Sequence, residues 1–264
     1  MIKFIATDMD GTLLNSQKQM PSDFEAVFNG LKSKGILFAA ASGRQYASLK
    51  NTFSPYADDM LFIAENGTLV MHQGQELYSS EIPLSDVQRI VKTVRRIQGA
   101  HIVVCGKHRA YVETQDSAAL IEIKKYYHEL SYTPDLLSVT DEFIKVAVLH
   151  DDDSQTCVYP IVAPIFSDSH QVVVSAKHWL DFMHKQASKG AAIRHLQETL
   201  NFTFEESMSF GDYLNDIEML KETYHSYAMD NAHPEIKALA RFQAPSNDAE
   251  GVTQTIKNVL LKSS

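Results

Sequence analysis

A short apolar run that ends in two closely spaced carboxylates most constrains how this chain folds. Lys3–Leu14 has the sequence KFIATDMDGTLL, and its first half has the length, β-branched content and aromatic residue of a buried strand. Asp8 and Asp10 leave the carboxyl end of that strand, where open α/β sheets bind their ligands. Two carboxylates this close repel each other, which favours a bound cation and pKa values that are pushed apart. The alternative is a solvated turn that caps the next helix, since Asp, Gly and Thr are ordinary turn residues.

Strand and helix patterns alternate through both ends of the chain. Ser22 is the predicted cap of a first helix, and Ile36–Ala41 is apolar throughout, as in parallel strands that are covered on both faces. Leu61–Ala64 follows as a third strand. After a change of pattern in the middle, the alternation resumes with a helix from Ser188 and a strand at Ser207–Phe210. The pattern predicts an α/β fold with a doubly wound, Rossmann-like parallel sheet.

The middle of the chain has a different pattern. Two pairs of short β-like runs suggest hairpins, His101–Cys105 with Ala110–Glu113 and Val172–Ser175 with Trp179–Met183. The other predicted elements of this part are helices over 83–97, 118–130 and 155–166 and a strand over 143–149. Closely spaced strands with helices on one side predict an α+β domain inserted at residues 83–185. The core domain is then discontinuous and comprises residues 1–82 and 186–264.

Charge and composition exclude several classes of function. The formal net charge is −9, which argues against a nucleic-acid groove because such a groove needs a basic stripe. No apolar stretch approaches the roughly 20 residues that span a bilayer, and Asp8 precedes any signal-peptide core. We therefore expect a cytoplasmic monomer or weak homo-oligomer with no nucleic-acid or membrane partner. Cys105 and Cys157 stand alone and are expected to be small buried apolar side chains, with a disulfide or zinc site the remote alternative.

Polar motifs lie at the ends of predicted strands, or at the start of a predicted helix, in the core domain. Besides the Asp8 and Asp10 pair, they are Ser42-Gly43, Lys189, Gly211-Asp212 and Asn215-Asp216. Each has a plain structural explanation when taken alone, because serine and aspartate cap helices and a lysine in a first helical turn is commonly solvated. Parallel strands, however, place their carboxyl ends on one edge of the sheet. Taken together, the motifs predict a phosphate-transfer site at that edge.

These motifs resemble those of a known superfamily. Asp8-Met9-Asp10-Gly11-Thr12 resembles the first motif of the haloacid dehalogenase superfamily, Ser42-Gly43 the second, Lys189 the third and Gly211–Asp216 the fourth. The inserted domain, preceded by Glu65-Asn66-Gly67, is similar to the large cap of the Cof-type subfamily (C2B-like). The resemblance covers essentially the whole chain.

Further segments refine this resemblance. Ala228–Ala232 and Glu250–Val252 also fit the Cof-type subfamily, and Ala41–Tyr46 and Cys105–Val112 are most similar to bacterial sugar phosphatases. Asp230 stands where the subfamily pattern has glycine, although Asp tolerates a left-handed backbone better than most residues.

The resemblance implies a role for each carboxylate. Asp8 is the expected nucleophile that forms an aspartyl-phosphate, and Asp10 the expected acid and base, oriented by Thr12. The implied cofactor is Mg²⁺, a cation that prefers oxygen ligands. Its expected ligands are Asp8, the Asp10 main-chain carbonyl and Asp212, supported by Asp216.

The resemblance also implies a set of phosphate-binding residues. Ser42 and the Gly43 amide are expected to donate to the phosphoryl oxygens, Lys189 to offset their charge and Asn215 to assist. Arg44 is placed with this substrate-binding group, with its role open.

The implied activity is that of a phosphatase acting on small phosphorylated metabolites, with sugar phosphates favoured. A phosphomutase is the second enzyme candidate, and a phospho-accepting signalling module of receiver type is the candidate outside enzymes. The resemblance implies that the inserted domain closes over the site and selects the substrate. Candidate loops are Cys105–Ala110 and Ala176–Trp179, although Trp179 and Phe182 are better interpreted as core residues.

Overall fold

Two units make up the protein, and each has its own sheet. A computed structural model describes residues 1–261. The first unit contains residues 1–43, 53–78 and the chain from residue 188 onward, and the second contains Arg44–Thr52 and Ser79–Ala187. The division into a core domain and an inserted domain, with boundaries after residues 82 and 185, stays a prediction.

Strands and helices alternate along most of the chain. In chain order the strands are β1 (Phe4–Thr7), β2 (Leu37–Ala41), β3 (Leu61–Ala64), β4 (Leu69–His72), β5 (Gln75–Ser79), β6 (Ala100–Gly106), β7 (Ala110–Val112), β8 (Leu130–Tyr132), β9 (Phe143–His150), β10 (His170–Ala176), β11 (Trp179–His184), β12 (Ser207–Gly211), β13 (His225–Met229) and β14 (Phe242–Ala244). The helices are α1 (Phe24–Ser33), α2 (Tyr46–Thr52), α3 (Leu84–Val94), α4 (Ser117–Ile123), α5 (Ser154–Cys157), α6 (Tyr159–Phe166), α7 (Lys189–Leu200), α8 (Ile217–Lys221), α9 (Pro234–Leu239) and α10 (Gly251–Ile256).

The first sheet confirms the predicted doubly wound parallel core. Its strand order is β14-β13-β12-β1-β2-β3-β4-β5. Pairing is parallel from β14 to β3, and β4 runs antiparallel to β3. All four residues of β1 are buried, because β1 lies inside the sheet between β12 and β2. The carboxyl ends of β12, β1 and β2 therefore lie side by side.

Both faces of β1 are covered by apolar side chains. On one face, Phe4 and Ala6 pack in the same cluster as residues of α7, including Ile193 and Leu196. The first helix, α1, brings Phe24 to within 5.7 Å of the Phe38 ring of β2. Full burial of one such side chain contributes about 1.5–3 kcal/mol, so the strand that directly precedes Asp8 is held firmly.

The second sheet confirms the predicted α+β character of the inserted segment. Its order is β10-β11-β9-β6-β7-β8, and pairing is antiparallel except between β7 and β8. Helix α3 packs Ile90 and helix α6 packs Phe166 into its core. Trp179 is 6% exposed and Phe182 is 0% exposed, so both are core residues, as their apolar character favoured.

Several predicted boundaries are wrong. The N-cap position of α1 is Asp23, whose side chain makes no capping hydrogen bond, and the amide of Ser22 donates to Glu250. The helix predicted over 118–130 ends at Ile123, and Leu130 instead pairs with Ala110 as part of β8.

Another predicted helix is divided near Pro160, whereas Pro164 lies inside the second of the two parts. The segment 155–166 forms two helices that meet at Val158, with Pro160 in the first turn of α6. Proline lacks an amide hydrogen, so it fits the start of a helix and interrupts a longer one.

Three smaller expectations can be compared with the structure. Cys105 is buried as predicted, whereas Cys157 is half-buried, and they form no disulfide. Asp230 is not among the described residues with a left-handed backbone, so it needs no glycine-like freedom. Within residues 1–261, no helix has the length and apolar character required to cross a membrane.

Candidate active site

The predicted motifs converge at the carboxyl edge of the first sheet. Asp8 follows β1, Ser42 follows β2, and Asp212 follows β12. Thr7 is in register with both Ala40 and Phe210, so the three strands end at the same level. The amide of Asp8 donates to the Phe210 carbonyl over 3.0 Å. Parallel pairing therefore brings together residues that are more than 200 positions apart in the sequence.

Lys189 lies at the centre of the buried charges. Ser188 caps α7 by accepting the Ala191 amide over 3.0 Å, which places Lys189 at the first helical position. The Lys189 Nζ atom donates to Asp8 Oδ1 over 2.5 Å and to Asp216 Oδ1 over 2.7 Å. Lys189 and Asp216 are both 0% exposed, so this pairing offsets charges that cannot be left uncompensated in the interior.

Asp216 organises the loop that carries Asp212. Its Oδ2 atom accepts the Asp212 amide over 3.0 Å and the Tyr213 amide over 3.2 Å. A side chain on Gly211 would clash with Asp216, at 2.6 Å from its Cβ atom. Since both carboxylate oxygens of Asp216 already accept hydrogen bonds, the residue holds the loop and Lys189 in place.

Asp212 is fixed by the first motif. The Thr12 hydroxyl donates to Asp212 Oδ1 over 2.7 Å, while the expectation that Thr12 orients Asp10 stays a prediction. A hydroxyl has a single hydrogen to donate, and here it goes to Asp212. Gly11 has φ +84°, and a Cβ atom there would collide with the Asp212 carboxylate. Glycine at this position therefore satisfies both the backbone conformation and the close approach of Asp212.

Asp10 lies on the solvent side of the same motif. Its carboxylate is 37% exposed and pairs with Lys18 Nζ at 2.8 Å. Lys18 has φ +61° and was not identified from the sequence, because a lysine in a polar loop carries no motif. This solvent access is compatible with the predicted role of Asp10 as acid and base.

Asn66 and Asn215 join the second and fourth motifs. The Asn66 amide donates to the Ser42 carbonyl over 2.9 Å, and Asn215 Nδ2 donates to Asn66 Oδ1 over 3.2 Å. From the sequence, Asn66 was named only within Glu65-Asn66-Gly67, the segment that precedes the predicted inserted domain, and was given no role in the site. Its position directly after β3, a parallel strand of the same edge, was the signal that was available. Arg44, which was placed from the sequence with the substrate-binding residues, is the first residue of the second unit.

The acidic cluster has the composition of a divalent cation site. Carboxylate oxygens of Asp8, Asp212 and Asp216 all lie within 4.8 Å of one another. Oxygen ligands are those that Mg²⁺ prefers, and Lys189 contacts two of the three carboxylates, which leaves negative charge in excess. The donor set therefore fits Mg²⁺, while ligation by the Asp10 carbonyl stays a prediction.

The pKa values of the cluster respond mainly to burial. Burial raises the pKa of Asp8 from 3.8 to about 8, with Asp216 and Asp212 adding to the rise and Lys189 opposing it. Burial also raises the pKa of Asp212 to about 6, although the Thr12 hydrogen bond lowers it. For Lys189, burial lowers the pKa, but Asp216 and Asp8 outweigh burial and hold it above its usual 10.5. A cation that binds here must displace a proton.

Comparison with known proteins covers nearly the whole chain. A family model described as haloacid dehalogenase-like hydrolase matches residues 5–256. A 5-amino-6-(5-phospho-D-ribitylamino)uracil phosphatase of Escherichia coli is 33% identical over 261 residues, covering 98% of this chain and 96% of that protein. An HMP-PP phosphatase of Klebsiella pneumoniae is 26% identical over 242 residues, covering 90% and 88%. The crystal structure of a Streptococcus mutans protein aligns with a TM-score of 0.89 at 29% identity, covering 99% and 100%. The matches include the segments of both units.

Proposed function

This chain belongs to the haloacid dehalogenase-like hydrolases and is a phosphoric monoester hydrolase, and we propose that it is a Mg²⁺-dependent sugar phosphatase that works through an aspartyl-phosphate. The observation that carries the proposal is the buried Asp8 carboxylate, which leaves a central parallel strand and contacts Lys189 at 2.5 Å. A carboxylate held in this way is a nucleophile with a charge-offsetting lysine beside it.

The proposed reaction uses the two carboxylates of the first motif in sequence. An Asp8 oxygen attacks phosphorus, the bond to the leaving oxygen breaks, and Asp10 supplies the proton that the leaving alcohol needs. Asp10 then takes a proton from a water molecule that attacks the same phosphorus, which breaks the bond to Asp8 and releases phosphate. The exposure of Asp10 and the burial of Asp8 agree with this division of roles.

The remaining residues bind the transferred group. Ser42 and the Gly43 amide are proposed to donate to phosphoryl oxygens, and Lys189 and Asn215 to offset or bind their charge. Mg²⁺ held by Asp8 and Asp212 supplies Lewis-acid stabilisation of phosphoryl charge. Asp216 supports that site through its hydrogen bonds to the loop.

The preference for a sugar phosphate is supported by the name of one relative. The Escherichia coli protein is named for a substrate whose phosphate is attached to a ribityl chain, which is a sugar alcohol. The Klebsiella pneumoniae relative is named for a different compound, HMP-PP. We propose that the substrate of this chain carries its phosphate on a hydroxylated carbon chain.

A panel of phosphorylated metabolites tests the proposed function. Phosphate release is measured with hexose and pentose phosphates, ribityl phosphates, nucleotides and pyridoxal phosphate, with Mg²⁺ or with EDTA. We expect the highest kcat/KM among the sugar and sugar-alcohol phosphates, and no release with EDTA. Release of isomerised sugar phosphate without inorganic phosphate would instead support a phosphomutase. A stable phosphoprotein without turnover would support a signalling role.

Metal binding is expected to raise thermal stability more at high pH than at low pH. The pKa of Asp8 is raised from 3.8 to about 8, so the contribution of Asp8 to the stability of the metal-free protein is full below pH 3.8 and is lost as pH rises through about 8. Mg²⁺ reverses that loss, because it binds the deprotonated carboxylates. At a concentration of about 100 times Kd, it contributes about 2.7 kcal/mol, or roughly 5–10 °C in Tm.

Thermal unfolding with MgCl₂ or EDTA at about pH 6 and about pH 9 checks this expectation. Asp212→Asn is the matched control, since it removes one proposed ligand and keeps the Thr12 hydrogen bond partner. The Mg²⁺-induced shift should be larger at the higher pH and small in Asp212→Asn. An equal shift at both pH values would contradict the proposed ligands.

A further inference from the structure

Asn66 adopts a backbone conformation that few residues tolerate. It follows β3 with φ 58° and ψ 29°, which is the left-handed region. Asparagine occupies this region more readily than other residues with a side chain. Glycine would fit it more easily, so the presence of a carboxamide at this position calls for an explanation.

The carboxamide of Asn66 lies between two proposed phosphate-binding motifs. Its Oδ1 atom accepts the Asn215 Nδ2 group over 3.2 Å, and a Cβ atom on Gly43 would lie 3.1 Å from that same oxygen. The Asn66 main chain is bonded to the Ser42 carbonyl over 2.9 Å. One residue therefore contacts the loop after β2 through its main chain and the loop after β12 through its side chain.

The residue after Asn66 extends these contacts to the third motif. Gly67 has φ +92°, and a Cβ atom there would collide with the Ser188 carbonyl and lie 2.7 Å from the Lys189 amide. Gly67 thus packs directly on the turn that begins α7. The Asn66-Gly67 segment touches three of the four motifs at once.

We propose that Asn66 is a positioning residue for phosphoryl transfer: it orients the Asn215 carboxamide and the Ser42-Gly43 turn so that their donors meet the same phosphoryl oxygens. This inference rests on the proposed function and adds to it a residue that none of the predicted roles includes. Asn215 is exposed, so without the Asn66 contact its side chain would sample several rotamers. One amide hydrogen of Asn215 is used by Asn66, and the other stays available to an anion.

Two substitutions separate the side chain from the backbone. Asn66→Gly keeps the left-handed backbone and removes the carboxamide. Asn66→Asp keeps the acceptor for Asn215 and tolerates the same backbone, but places a negative charge beside Gly43 and the phosphoryl group. We expect kcat/KM to fall by about 10- to 100-fold in Asn66→Gly, as for a small misplacement of reacting groups. Asn66→Asp should lose at least as much, because its charge repels the phosphoryl group.

Inhibition by orthovanadate gives a readout that a purely structural role would not move. Its inhibition constant should rise in Asn66→Gly by the same factor by which kcat/KM falls, while the Mg²⁺-induced shift in Tm is kept. Asn201→Gly is the matched control, since Asn201 has φ 55° at the end of α7 and no predicted site role. Equal vanadate inhibition in Asn66→Gly and the wild type would overturn the proposal.

A double-mutant cycle with Asn215→Ala tests the route of action. If Asn66 acts through Asn215, the double variant Asn66→Gly with Asn215→Ala loses less kcat/KM than the product of the two single losses. Losses that multiply would show that the two residues act independently, which contradicts the inference.

The same assays distinguish failure of this inference from failure of the proposed function. Asp8→Asn is measured in parallel. If the wild type releases phosphate and Asp8→Asn does not, a fully active Asn66→Gly overturns only the role of Asn66. If Asp8→Asn also releases phosphate, the proposed function itself is wrong.

Discussion

Replacing Asp8 with Asn is expected to abolish phosphate release, with kcat lower by about 10⁴- to 10⁶-fold, as for the loss of a catalytic nucleophile. The amide has nearly the same shape as the carboxylate but does not attack phosphorus. The substitution also removes one of the three carboxylates that form the proposed cation site. Both effects act on the chemical step, so the loss should appear in kcat and not in KM alone.

The Asp8→Asn protein is expected to fold normally. The amide oxygen still accepts the Lys189 hydrogen bond that the carboxylate accepts at 2.5 Å. Burial raises the pKa of Asp8 to about 8, so an uncharged side chain is tolerated at this position. In EDTA at about pH 9, the variant should therefore unfold at a higher temperature than the wild type, because it has no carboxylate to ionise there.

Phosphate release and thermal unfolding measured on the same preparations test this prediction. Asp230→Asn is the matched control, since Asp230 is 74% exposed and lies 3.7 Å from Lys237. It should keep wild-type kcat and Tm, because exposed ion pairs contribute about 0–1 kcal/mol. Asp8→Ala should be as inactive as Asp8→Asn. Turnover at the wild-type rate by a clean Asp8→Ala protein would exclude an aspartyl-phosphate on this residue.

The sequence was sufficient to predict the sheet that carries Asp8 and the residues that surround it. Apolar strands covered on both faces have a strong pattern, and parallel pairing places their ends together without further information. The sequence pattern therefore groups Asp8, Lys189 and Asp212 at one edge of the sheet. In the structure Lys189 contacts Asp8, and carboxylate oxygens of Asp8 and Asp212 lie within 4.8 Å of each other. The catalytic roles of these residues stay proposals.

Partner choice at short range could not be predicted. Thr12 donates to Asp212, and Asp216 accepts two main-chain amides, because these atoms meet only after the loops fold. The sequence shows which groups need partners, and several arrangements satisfy the same need. Asn66 was missed for the same reason, since its side-chain partner Asn215 is 149 residues away.

Two strands at the sheet edges, β5 and β8, were also missed. Strand β5 is mostly exposed or half-buried, so it lacks the continuous apolar run that identified β1. Strand β8 has three residues and pairs with Ala110–Val112. Such strands are specified by the partner they find in the folded chain more than by their own residues.

Removing the charge of Lys189 is expected to reduce stability and activity through separable causes. Methionine has an unbranched side chain of similar length to lysine. Lys189→Met therefore leaves Asp8 and Asp216 without the ammonium group that contacts both. Breaking a buried ion pair from one side costs about 3–5 kcal/mol. Loss of a cation beside the phosphoryl group should lower kcat by about 10²- to 10³-fold or more.

The stability loss of Lys189→Met should depend on pH and on metal. Lys189 opposes the rise in the pKa of Asp8, so its removal moves that pKa further up. The stability that a carboxyl group with a raised pKa contributes to the fold is lost as pH rises through that pKa. The variant in EDTA should therefore have its lowest free energy of unfolding at high pH. Mg²⁺ should restore much of the stability, since a cation again offsets the carboxylates, but it should leave kcat low.

Urea unfolding in EDTA and in MgCl₂, together with phosphate release, separates these effects. Lys3→Met is the matched control, since Lys3 is 53% exposed and pairs with Glu206 at 2.9 Å. That variant should lose no more than about 1 kcal/mol and keep wild-type turnover. If Mg²⁺ restored both stability and kcat in Lys189→Met, the lysine would serve only to hold the carboxylates together. If Lys189→Met were as stable as the wild type in EDTA, the buried cluster would not need its cation.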